Sequence, residues 1–154
     1  MKYVVTIIEN EYMSVGGFGH IFYDLLSSYI ISELFNIKFI YYPISSLGND
    51  HHTGIKPGSI EEKINWDSFL NFNKNELELK DIEHLNLNKV KIDLCKPFTS
   101  INISELYNFI NSYADNTLFI LTNNNRIYLN EVYYFNKKTY LRIHKNLKLK
   151  LKHL

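Results

Sequence analysis

Two short runs rich in β-branched and aromatic residues, Tyr3-Val-Val-Thr-Ile-Ile8 and Ile37-Lys-Phe-Ile-Tyr-Tyr42, bracket a segment of helical period. Within it Phe22, Leu25, Leu26, Tyr29, Ile30 and Leu34 recur every three or four positions and share one stripe. Strand, helix and strand in this little sequence leave few solutions. The strands need a long crossover, so they lie parallel and the crossover is right-handed. The expected class is α/β, a three-layer Rossmann-like domain with a mainly parallel sheet flanked by helices. Further along, Val90–Leu94 and Thr117–Thr122 read as strands, and Ser104 as the N-cap of a helix running to Tyr113. A turn follows at Asn123-Asn-Asn-Arg126, and Ile127–Phe135 fits helix or strand. Ser45–Ser59 is a long polar loop, and Glu62–Phe72 a short helix or irregular piece docked by its aromatics.

The first strand and first helix are joined by Ser14-Val-Gly-Gly-Phe-Gly-His20. Two readings are open. Glycines let backbone N–H groups approach a ligand, and a helix start adds partial positive charge, which together suit a phosphate. Alternatively the glycines only permit a tight turn. The dinucleotide fingerprint fails because Phe22 stands where its third glycine belongs, and a P-loop would need Gly-Lys-Ser/Thr.

Gly16-Gly-Phe-Gly-His20 followed by an amphipathic helix resembles the N-terminal loop of fucosyltransferase-like glycosyltransferases, commonly Gly-x-Phe/Leu-Gly-Asn-Gln. Gly16, Phe18 and Gly19 match, whereas His20 replaces the Asn and Ile21 the Gln. The resemblance extends weakly through Phe35 to Pro43. It implies one half of a two-domain GT-B enzyme: residues 1–154 as a single acceptor-side domain, ending in a basic helix over 137–154. Gly16, Gly17, Phe18, Gly19 and His20 would contact the donor's phosphates, with GDP-fucose the suggested sugar nucleotide and no metal. The acceptor would be a glycan or another hydroxyl compound. The Arg-rich motif of the family's donor-binding domain is absent, since Arg126 and Arg142 are the only arginines. The implied partner is therefore a C-terminal donor-binding domain outside this chain.

Other candidates carry two readings each. His51 and His52 in the long loop orient an acceptor hydroxyl or act as base, or are simply solvated. Trp66 stacks on a sugar or belongs to the core with Phe69 and Phe72. Asp24, Asp50, Glu61, Glu62 and Asp67 are the carboxylates near the expected crevice, and nothing in the sequence selects among them. Cys95, at the end of a strand pattern, is a buried packing residue or a nucleophile. The His and Cys spacings make no metal site.

Composition narrows the class. Hydrophobic content of 45% with 21% charged residues is that of a soluble globular chain, and 154 residues suit one domain. A net charge of +1 exerts no overall pull on nucleic acid, and no apolar run reaches a membrane span. A single cysteine fits a reducing compartment, hence a cytoplasmic location. The basic tail aligns Tyr140, Ile143, Leu147, Leu151 and Leu154 at helical spacing, although Leu147-Lys-Leu-Lys-Leu-Lys152 also alternates like a strand; helix is favoured. Its lysines contact acidic lipid or nucleic acid, or form a solvated face over a packed one; no nucleic-acid partner is expected. The competing function is a non-catalytic α/β binding or protein-interaction module.

Overall fold

A computed structural model describes residues 1–9, 18–44, 71–94 and 102–151. Five strands form one sheet: β1 (Tyr3–Ile7), β2 (Lys38–Tyr41), β3 (Leu77–Glu78), β4 (Asn88–Lys91) and β5 (Thr117–Thr122). All pairings are parallel and the order is β3-β2-β1-β5-β4. The α/β class and parallel sheet expected from the opening segment are therefore present. β1 is central, with Val4 paired to Phe39 on one side and to Phe119 on the other. Burial on both faces explains why this strand reads as an unbroken apolar run.

The helices are α1 (Phe18–Phe35), α2 (Leu79–Ile82), α3 (Ile103–Asn111), α4 (Leu129–Phe135) and α5 (Lys137–Lys150). Side chains alternate across the sheet and divide the core in two. Val4, Phe39, Tyr41, Phe119 and Leu121 meet α1, α3, α4 and α5, and α1 contributes Ile21, Leu25 and Tyr29 to this layer. Val5, Ile40 and Leu118 point the other way, to Ile82 of α2. Right-handedness accounts for this split. The steps β1 to β2 and β4 to β5 run in one direction along the sheet, so α1 and α3 fall on one face. The step β3 to β4 runs back across all the strands, and residues 79–87 cross the opposite face.

α1 is apolar or small on nearly every side because it lies between the sheet and α5. Its buried serines satisfy their hydroxyls on the helix itself: Ser28 donates to the Leu25 carbonyl at 2.9 Å and Ser32 to that of Tyr29 at 2.7 Å. It ends at Asn36, whose φ of 54° is left-handed. Residues Asn71, Asn75, Asn86 and Asn124 also have positive φ, so among the described residues every non-glycine in that region is asparagine. Asparagine's short polar side chain makes it the least costly substitute for glycine there.

Two expected boundaries are corrected. The N-cap of α3 is Asn102, whose Oδ1 accepts from the Glu105 N–H at 3.2 Å, and Ser104 lies inside the helix. The strand expected at Val90–Leu94 runs from Asn88 to Lys91, and the Leu94 N–H leaves the ladder for the Asn125 side chain. Within the ambiguous stretch before the tail, Leu129–Phe135 is helical as α4, and Lys137–Lys150 of the tail is helical as α5.

Candidate functional site

β1 and β5 end level, Ile7 opposite Thr122. The chain therefore leaves β1 and β5 side by side at the C-terminal edge of the sheet. Gly16 and Gly17 lie outside the described residues, as do His51, His52, Trp66, Cys95, Asp50, Glu61, Glu62 and Asp67. Phe18, Gly19 and His20 form the first turn of α1, and both Gly19 and His20 are exposed. A Cβ built at Gly19 would meet nothing within 4 Å. Among the described residues, packing does not demand glycine here.

From this turn a stripe of α1 faces the segment after β5. His20, Asp24 and Ser27 follow at helical spacing. The Ser27 hydroxyl accepts from the Ile127 N–H at 2.9 Å. Asp24 is fully buried and its Oδ1 accepts from Arg126 Nε at 2.5 Å, while the Arg126 side chain is 18% exposed. Oδ2 of Asp24 has no hydrogen-bond partner among the described residues. A buried carboxylate half satisfied in this way is costly unless a cation stands beside it, and Arg126 is that cation.

The turn holding Arg126 is itself braced. Arg126 Nη2 donates to Asn124 Oδ1 at 3.3 Å. The buried Asn125 donates to Thr122 Oγ1 at 3.1 Å and accepts from the Leu94 N–H at 2.5 Å, tying the exits of β5 and β4 together. Beside the ion pair, the rings of Tyr23 and Tyr128 meet edge to face at 5.9 Å, and both are exposed. The C-terminal edge of β1 and β5 thus carries a guanidinium held by Asp24 and an exposed aromatic pair, with His20 one helical turn before Asp24 on α1. Chemically it suits a phosphorylated ligand with a ring to stack.

No family model matches this chain, and no curated protein or solved structure matches it. The functional reading rests on the site's own chemistry. Crevices in open α/β sheets form where neighbouring strands send their connections to opposite faces, yet the chain leaves both β1 and β5 toward the face of α1.

A second polar cluster lies at the other end of α1. Arg142 of α5 donates through Nη2 to the Glu33 carbonyl, with its Nε 3.7 Å from the Glu33 carboxylate. Asn146 donates to the same carboxylate at 3.2 Å, and Lys150 pairs with Glu76. Burial, then the negative charges of Glu33 and Glu76, push the Tyr29 hydroxyl's pKa well above its ordinary value. A cavity of about 220 Å³ is lined by Tyr29, Ser32, Glu33, Lys38, Glu76 and Arg142. Glu33 is matched to Arg142 and Glu76 to Lys150, and the first of these contacts fastens α5 to α1. Among the described residues, no three His, Cys, Asp or Glu side chains gather as a metal site.

Of the carboxylates weighed from sequence, only Asp24 is described, and it has no exposed surface from which to take a proton from an acceptor hydroxyl. Sequence patterning does not assign Arg126, Tyr23 or Tyr128 to a site. One signal is present: in a chain with fifteen lysines, two arginines survive, and each makes a directional contact that an ammonium does not reproduce.

Proposed function

We propose that this chain is the acceptor-side domain of a glycosyltransferase that uses a nucleotide-sugar donor, GDP-fucose being the donor suggested by the Gly16–His20 loop. The observation that carries the reading is Arg126, held by Asp24 at the edge of the sheet from which the chain leaves β1. In such a transfer, an acceptor oxygen displaces a nucleoside diphosphate from the anomeric carbon. Negative charge accumulates on the departing phosphates, and a preorganised guanidinium with helix-start amides offsets it. His20 adds a further hydrogen-bond donor, and one exposed ring of the Tyr23–Tyr128 pair offers its face to the base or sugar. The donor-holding domain would be supplied by a partner or by further sequence.

Titrating GDP and GDP-fucose into the isotope-labelled chain tests this. Amide shifts are expected at Gly17, Gly19 and His20, with a shift of the Arg126 Nε–H. Gly19→Ala sharpens the test. The substitution meets open space and exchanges glycine for a better helix former, so stability should hold or rise by up to about 1 kcal/mol. A diphosphate seated on the first-turn amides would be crowded by the added methyl, lowering its affinity about tenfold, roughly 1.4 kcal/mol. Absent shifts, or equal affinity in Gly19→Ala, would leave the non-catalytic interaction module as the better account.

A further inference from the structure

Charge is divided unevenly along this chain. Seven of its seventeen lysines and arginines lie in positions 137–154, which hold no aspartate or glutamate. Positions 1–136 carry the other ten cations against all sixteen carboxylates. α5 sorts its own side chains further. Tyr140, Ile143, Leu147 and Leu151 pack on the core, and Arg142 and Lys150 engage Glu33 and Glu76. Lys138, Lys145 and Lys148 face solvent, and no described carboxylate pairs with them.

That outer face is not purely cationic. Leu141 and Leu149 are 54% and 56% exposed, on either side of Lys145 and about 12 Å apart along the axis. With His144 and Lys148 they wall a shallow open groove. Where α4 meets α5, Tyr133, Tyr134 and Phe135 are also exposed, Tyr134 to 84%. Scattered exposed leucines are ordinary. Leucines interleaved with lysines that have no described carboxylate partner make the outer face of α5 an interfacial amphipathic surface, with exposed aromatic rings nearby at the end of α4.

We propose that this face of α4 and α5 docks on an anionic lipid bilayer. The helix lies flat, Leu141 and Leu149 enter the headgroup layer, and Lys138, Lys145 and Lys148 meet the lipid anions. Charge complementarity and the interleaved leucines select this occupant. A nucleic-acid backbone would leave the leucines without an apolar partner, and a second copy of the same face would set lysine against lysine. The anionic excess of positions 1–136 is repelled by the same bilayer, which orients the domain with α5 toward the lipid. The inference is independent of any nucleotide at the sheet edge.

Sedimentation of the full chain with vesicles tests it. Binding is expected to phosphatidylcholine vesicles containing about a third phosphatidylserine, not to phosphatidylcholine alone, and should fall steeply at high salt. Each lysine near such a surface is worth about fivefold, so Lys145→Gln with Lys148→Gln should weaken binding about 25-fold. Leu141→Ser with Leu149→Ser, at unchanged charge, should weaken it at least about tenfold. Both pairs are exposed, so thermal midpoints should match the parent chain. The proposal is overturned by equal binding to the two vesicle types, by binding to neither, or by indifference to the leucine pair. It is equally overturned if an oligonucleotide binds more tightly than the vesicles, or if the same variants abolish a dimer of the chain.

Discussion

Arg126→Met is expected to lower the folding stability by about 3–5 kcal/mol, measured by urea denaturation. The methionine replaces most of the volume but leaves the Asp24 carboxylate fully buried, without the guanidinium that pairs it. Asp24→Asn should cost less, about 1–2 kcal/mol, because an amide oxygen still accepts from Nε and the arginine left behind reaches solvent. The double variant Asp24→Leu with Arg126→Met should recover much of the loss, since both charges leave together. Arg126→Lys should resemble Arg126→Met more than the parent chain, because lysine has no Nε–H at that point along its stem. A loss below about 1 kcal/mol for Arg126→Met would mean that water reaches the carboxylate. It would also remove the physical reason for regarding the guanidinium as held in position.

Phe72→Ala should cost about 3–5 kcal/mol by the same measurement. Phe72 is fully buried, and four rings surround it: Tyr29 at 5.4 Å, Phe39 at 5.8 Å, Phe22 at 5.9 Å and Tyr41 at 6.3 Å. The Lys150 ammonium stands 5.4 Å from its centroid. Deleting the ring opens a cavity among α1, β2 and α5, and stiff aromatic neighbours close it poorly. Phe72→Leu, which keeps more of the volume, should cost well under half as much. If Phe72→Ala were as mild as Phe72→Leu, the cluster would be loosely packed and its edge-to-face contacts incidental.

The parts legible in sequence are those whose burial pattern is one-dimensional. β1, β2 and β5 are apolar runs because they are covered on both faces, and α1 and α5 show their stripes at helical period. The start of β4 is harder to place by two residues because an edge strand is paired on one side only, and its sequence Asn-Lys-Val-Lys carries a single apolar residue. β3, two residues long, has no period to detect. The cap of α3 turns on a choice between two good capping types. Burial of Ile103 and Leu106 decides it, because that register sets Asn102 just outside the first turn. The Asp24–Arg126 pair joins residues 102 apart in sequence, and no local pattern announces such a contact. The asparagines carry more than a compositional bias, since five of them occupy the left-handed corners that glycine would otherwise fill.

The strand order has a consequence for synthesis. β1, β2 and β3 come from the first half of the chain and β4 and β5 from the second, and the seam between them is the β1–β5 ladder, the longest in the sheet. Tyr3 must therefore wait for Leu118 before the inner edge of β1 is closed. At ribosomal speeds that interval is on the order of ten seconds. Through it, a hydrophobic strand edge stays open to any passing extended peptide. The topology thus leaves this edge to be closed late, a delay that a permuted chain beginning at β4 would shorten.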